Sequence, residues 1–225
     1  MSARRLIIAI DGPSGAGKGT IARTLASRLD YTHVDTGAMY RAVAWKAREE
    51  GLDLADAAAV AGLAERAAFD LEGRVAIDGR DVTLAIRTPE IDEAAAIVAR
   101  HACVREVLVR RQRAWGSPGG VVMEGRDIGT VVFPEADIKL YLDASPEERA
   151  RRRAGDPAHA ASRQSGGNVA SIAQALQARD HSYRTRAASP LAMAADAVYI
   201  DTTGVAIAEV VGRVLAIVSE RTSAS

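Results

Sequence analysis

Apolar residues fall in short blocks separated by polar breaks, and the blocks follow two rhythms. Residues 6–10 are five apolar positions in a row, too few for a membrane span and suited to a strand buried on both faces. Asp11 and Gly12 end that strand, and after Lys18 the residues Ile21, Leu25 and Leu29 recur on one helical face. Residues 31–34 read as a second short strand, and Thr36 is placed to cap a helix running from Ala38 towards Glu50, while Asp35 suits a divalent ion held through water and equally a helix cap or an arginine partner. Residues 54–68 are alanine-rich and helical. The rhythm then changes: residues 75–82 read as a tight hairpin on Asp78-Gly79, which makes 69–86 a small antiparallel insertion.

Helical spacing returns over 89–115, with Ile91, Val98, Val104, Val107 and Leu108 available for burial. Residues 121–123 and 138–142 are the third and fourth buried strands. The segment Ser145-Pro146-Glu147-Glu148 is a helix start: a cap, a proline at the first position, a glutamate three after the serine. Residues 154–168, rich in Gly, Ser and Ala, are expected to form a mobile loop. A helix over 169–186, a fifth strand over 197–200 and a closing helix over 205–221 complete the chain. Strands alternating with helices predict an α/β fold, a parallel five-stranded sheet flanked by helices. Ligands of such sheets gather at the carboxyl ends of the strands, and Asp11/Gly12, Asp35/Thr36, Glu124 to Asp127 and Asp143 all lie at such ends.

Composition narrows the function classes. The 225 residues suffice for one large domain, and Lys+Arg and Asp+Glu both number 29, so no bulk attraction to nucleic acid or to a membrane is expected. The only lysines are Lys18, Lys46 and Lys139; arginine carries nearly all the positive charge. A single cysteine, Cys103, excludes an internal disulfide framework and fits a reducing cytoplasm; in a helical pattern it reads as a small apolar residue. The four histidines lack metal-ligand spacing, so no protein-built metal site is predicted, and His33 reads as a packed strand residue. The apolar run after Arg4 and Arg5 is too short for a signal peptide. Arg110, Arg111 and Arg113 lack stacking aromatics and read as surface or ion-pair residues, not RNA contacts.

The candidate chemistry sits between the first strand and the first helix. Gly12, Pro13, Ser14, Gly15, Ala16, Gly17, Lys18, Gly19 and Thr20 form a glycine-rich turn, a lysine and a hydroxyl, the arrangement of a phosphate-binding loop. Glycines let successive backbone N–H groups approach an oxyanion, the helix N-terminus adds partial positive charge, and Lys18 would set a compact cation over the β- and γ-phosphates. Such a loop also serves GTPases, motor ATPases and passive nucleotide binders. The sole asparagine, Asn168, is followed by Val, so the NKxD guanine-reading element is absent, and no apolar run ends in paired acids. Arginines at strand ends and on helices suit a reaction in which donor and acceptor are both phosphorylated. A kinase of an unphosphorylated small substrate and a non-catalytic nucleotide switch remain as alternatives.

GPSGAGKGT at 12–20, DTGAMYR at 35–41, IRTPE at 86–90, VRE and RRQR within 104–113, EGRDIGTVVFP at 124–134 and RAASPL at 186–191 together resemble the bacterial cytidylate kinases. The resemblance spans nearly the whole chain. It implies a nucleoside monophosphate kinase fold over residues 1–225, with a monophosphate-binding insertion at roughly 62–100 and a lid at roughly 149–168. It implies direct in-line transfer from ATP to CMP or dCMP with Mg²⁺, by a cytoplasmic monomer that needs no nucleic acid or membrane partner. The loop residues 12–20 would hold ATP; Lys18, Arg126, Arg149 and Arg153 would act on the transferring group; Thr36, Arg41, Arg105, Arg126, Asp127, Arg179 and Arg186 would hold the monophosphate. Two positions depart from the family pattern. Tyr183 stands where an aspartate is expected on the acceptor ribose, and Ala96 where a serine commonly faces cytosine. A lost neutral hydrogen bond costs about 0.5–1.5 kcal/mol, which bears on sugar preference and on CMP-versus-UMP discrimination more than on catalysis.

Overall fold

The computed structural model describes residues 5–71, 73–156 and 169–223. Its central strand, β1 (Ile7–Asp11), is hydrogen-bonded on both sides and feeds both faces of the sheet. Ile8 and Ile10 pack with Ile21 and Leu25 of α1 (Lys18–Leu29) and with Val210 and Val214 of α8 (Ile207–Ser223). Ala9 turns the other way, towards Val109, Met123 and Ile128. The remaining strands are β2 (Thr32–Asp35), β6 (Val121–Glu124), β7 (Ile138–Asp143) and β8 (Val198–Asp201), in the spatial order β2-β6-β1-β7-β8. Every pairing in this sheet is parallel, as strand–helix alternation requires.

Register brings the strand ends together: Asp35 lies beside Glu124, Ile10 beside Glu124, and Asp11 beside Tyr141. Helices α2 (Thr36–Glu49), α3 (Ala57–Arg66), α4 (Pro89–Val98) and α5 (Ala102–Gly116) share a second core that includes Met39, Leu63, Val98 and Leu108. The expected insertion is a three-stranded antiparallel sheet of β3 (Phe69–Asp70), β4 (Ala76–Ile77) and β5 (Arg80–Asp81). Its turn has Asp78 at φ 49° and Gly79 at φ 77°, the left-handed pair that a two-residue hairpin demands.

Two expectations are corrected. The helical stretch 89–115 is two helices, because His101 adopts an extended backbone and its ring nitrogen bonds the Leu54 carbonyl at 2.7 Å. That turn lets α4 pack on α2 while α5 packs on α3. The cap of α2 is Asp35, whose carboxylate accepts from Ala38 N at 2.9 Å; the Thr36 hydroxyl instead donates to the Glu124 carbonyl at 2.7 Å. Ser145 caps α6 (Pro146–Gly155) as its sequence implies, and α7 spans Val169–Thr185. Of the expected loop 154–168 and lid 149–168, residues 157–168 lie outside the described residues. No helix among the described residues is long and apolar enough to cross a membrane.

Candidate functional site

The loop between β1 and α1 is shaped by its backbone. Gly12 sits at φ 143°, and a Cβ there would stand 1.9 Å from the Leu142 carbonyl oxygen, so no side chain fits. Gly17 caps α1 at φ 88° with no side-chain hydrogen bond, leaving the first N–H groups of the helix for an anion. Lys18 is buried and its ammonium donates to the Pro13 carbonyl at 2.7 Å, wrapping the side chain around the loop. Burial, then the neighbouring Arg126, pushes this ammonium down to about 7.

The loop is also braced from behind. Asp11 accepts from Ile128 N at 2.8 Å and Gly129 N at 2.7 Å, joining β1 to a single π-helical turn, Ile128–Val132. Burial raises the Asp11 carboxyl to about 6 against the pull of those two amides. Ser14 N donates to Asp180 at 3.0 Å. Arg149 donates to the Ser14 carbonyl at 3.0 Å and the Ala144 carbonyl at 3.1 Å, and pairs with Asp180. Its guanidinium is therefore spent on the back of the loop.

Across the cleft, three carboxylates organise arginines from distant segments. Asp35 pairs with Arg41 at 2.9 Å and Arg87 at 3.4 Å; burial opposes its charge, but the two guanidiniums hold its carboxyl well below the usual range. Asp127 pairs with Arg105 and, at 3.4 Å, with Arg186. Arg105 also reaches the Tyr40 hydroxyl at 3.2 Å, and burial pushes that phenol up to about 12. Asp92 pairs with Arg153 and, at 3.0 Å, with Arg179. Arg126 donates to the Ser14 hydroxyl at 2.8 Å, linking this side to the loop. Tyr183 lies among Arg126, Arg179 and Arg186, whose guanidinium carbons are 5.2, 5.8 and 5.3 Å from its ring centroid. Burial would raise its phenol, yet Arg179 and Arg126 bring it below its ordinary value.

Both sides open on one cleft of about 930 Å³. Buried nitrogens of Arg41, Arg105, Arg126, Arg179 and Arg186 have no hydrogen-bond partner among the described residues, and all five side chains line this cleft. The cleft is thus rich in guanidinium groups, a lining that suits anionic oxygens.

Of the residues singled out from sequence, Ser14, Gly15, Gly17, Lys18, Gly19, Thr20, Thr36, Arg41, Arg105, Arg126, Asp127, Arg153, Arg179 and Arg186 line the cleft. Gly12, Pro13 and Ala16 support it from within the loop, and Arg149 stands behind it. Sequence reasoning gave no role to Arg87, Tyr40, Asp92 or Asp180, and placed Glu124 only at a ligand-gathering strand end. Arg87 and Tyr40 lie inside quoted motifs and were within reach; Asp92, in an ordinary helical first turn, carried no signal. Cys103 is half-buried, its thiol donating to the Ala57 carbonyl at 3.3 Å. Arg110 and Arg111 bind the Glu65 carboxylate and carbonyl, each at 2.5 Å, and Arg113 binds the Val131 and Val132 carbonyls. His33 meets Glu124 at 3.1 Å.

A family model described as cytidylate kinase matches residues 8–220. A cytidylate kinase of Desulfitobacterium hafniense (strain Y51) is 48% identical over 222 residues, covering 97% of this chain and 94% of that protein. Another, of Pelotomaculum thermopropionicum, is 50% identical over 218 residues, covering 94% and 95%. Among solved structures, shikimate kinase from Acinetobacter baumannii in complex with shikimate aligns over 97% of this chain and 95% of its own, with a TM-score of 0.50 and 18% identity. At that identity the likeness speaks for the fold alone.

Proposed function

The chain belongs to the cytidylate kinase family and is an ATP-dependent kinase of CMP and dCMP, and we propose that it works by direct in-line transfer between a loop-held ATP and an arginine-held monophosphate. The observation that carries the mechanism is that Arg41, Arg105, Arg126, Arg179 and Arg186 line one cleft together with the glycine loop and Lys18. Transfer between phosphates asks for alignment, charge neutralisation and exclusion of water; no covalent intermediate is needed.

In this reading the loop amides and the N-terminus of α1 bind the ATP phosphates. Lys18, close to losing its proton in the unliganded protein, regains full charge against the phosphates and follows the charge from donor to acceptor. Thr36, Arg41 and Arg179 take the acceptor phosphate, with Arg87 added to that set by its place beside Arg41 on Asp35. Arg105, Asp127 and Arg186 take the nucleoside side. Arg126, bonded to the loop at Ser14 and packed on Tyr183, spans both, and Arg153 closes on the transferring group. Arg149, bonded to the Ser14 and Ala144 carbonyls, serves in this reading as a brace of the loop and not as a group acting on the phosphates.

The donor chemistry suits Mg²⁺ carried by ATP: only oxygens are offered, the Thr20 hydroxyl at the end of the loop and the Glu124 carboxylate against Gly19. These residues would hold the ion, which supplies charge neutralisation on the phosphates. One chain builds both sides of the cleft, which supports a monomer as the working form. A single half-buried thiol supports a reducing cytoplasm.

A coupled ADP-release assay across CMP, dCMP, UMP, AMP and shikimate tests the reading. CMP and dCMP should be phosphorylated, and Lys18→Ala should lower turnover by about 10³-fold or more. Transfer to a non-pyrimidine acceptor alone would refute it.

A further inference from the structure

Asp92 lies in the first turn of α4, is nearly buried, and is reached by arginines from two other helices: Arg153 in the last turn of α6 and Arg179 in α7. Both arginines line the cleft, so one carboxylate ties the cleft's insertion side to its two lid-side helices. The grip is partial. Arg179 keeps a buried Nε without a hydrogen-bond partner, and its ring-side flank rests on Tyr183, whose hydroxyl it also hydrogen-bonds. The guanidiniums of Arg153, Arg179 and Arg41 are near enough to depress the Arg153 charge along with burial, and Asp92 is the carboxylate that opposes them most.

Two cations aimed at one cleft repel each other until a phosphate arrives, and a fixed anion behind them removes that penalty in advance. We propose that Asp92 is a positioning residue for phosphoryl transfer: it holds one edge of Arg153 and of Arg179, so that their remaining N–H groups point at the group in flight. This rests on the kinase reading above and adds to it a residue that touches neither nucleotide. An ion pair that served stability alone would leave the chemical step unchanged.

The test uses the full-length chain with Asp92→Asn and Asp92→Ser, the second being well suited to a helical first turn. Thermal unfolding establishes which variants are folded, and kcat and both KM values are measured with ATP and CMP. Each folded variant should lose about 30-fold in kcat with each KM within about threefold of wild type, since well-placed guanidiniums stabilise the group in flight more than the bound substrates. Combined with Arg153→Gln, the Asp92 substitution should cost clearly less than the roughly 30-fold it costs alone, because part of its effect travels through that side chain and the rest through Arg179. The proposal is overturned if a folded variant keeps kcat within twofold, raises KM alone, or adds its full loss to that of Arg153→Gln. A wild-type protein that transferred nothing to CMP would instead remove the kinase reading, so the two failures are told apart.

Discussion

In the proposed reading the anion-binding groups on the loop side of the cleft are main-chain amides, set by glycine geometry and tied down from behind by Asp11, Asp180 and Arg149. On the acceptor side, in the same reading, they are guanidiniums from α2, α5, α6, α7 and the segments around residues 87, 126 and 186, most of them held by Asp35, Asp92 and Asp127. The first side is local in sequence and rigid by covalent geometry. The second is assembled from residues far apart and held by pairwise charge. Preorganised dipoles cost little when the substrate arrives, whereas clustered side-chain cations repel one another and need carboxylates to hold them together until then. The arrangement gives each side its own way to fail.

The largest expected effect lies on the acceptor side. Asp127→Ala leaves Arg105 and Arg186 without their shared carboxylate in a buried setting, at a cost of about 3–5 kcal/mol in stability. Chemical denaturation measures it, and CMP binding should be lost while ATP binding persists in whatever fraction folds. A loss under 1 kcal/mol would mean that the arginines are not charge-held.

On the loop side, Gly12→Ala forces a Cβ against the Leu142 carbonyl at a positive φ, at a cost on the order of 3 kcal/mol. Here ATP binding should vanish while CMP binding persists. Calorimetry with each nucleotide reads both halves of this contrast.

A smaller, pH-dependent effect separates the sides further. Lys18 falls to about 7 in the folded protein from 10.5, so between those values the unfolded chain holds a proton that the folded one lacks. Stability from this group therefore rises with pH across that window, by up to about 1.4 kcal/mol per pH unit. Asp11, raised from 3.8 to about 6, works in the opposite direction: its contribution falls as pH rises through its own lower window. The stability of wild type relative to Lys18→Met should thus increase from pH 7 to 9. ATP binding at pH 8 should take up a proton, visible as a dependence of binding heat on buffer ionisation enthalpy. No uptake would place Lys18 away from the phosphates.

The same division governs what was legible in the chain. The loop, the five strands and the Asp78-Gly79 hairpin follow from contiguous residues, because strand burial, glycine and turn chemistry are local causes. The kink at His101 was not legible: it depends on the Leu54 carbonyl, 47 residues away. Capping and arginine pairing were both legible at Asp35, and both occur; Thr36, equally able to cap, instead gives its hydroxyl to the Glu124 carbonyl. For the arginines, motif position singled out several that line the cleft without telling what each touches. Arg149 and Arg153 are one helical turn apart on α6, yet one braces the loop and the other reaches Asp92 across the cleft. Only packing decides between them.

The most direct test of two separately built anion sites is a calorimetric titration of wild type, Lys18→Ala and Arg105→Ala with ATP and with CMP. The account predicts that wild type binds both, that Lys18→Ala loses ATP and keeps CMP, and that Arg105→Ala does the reverse. A folded wild-type protein that took up ATP but gave no heat with CMP or dCMP would contradict it.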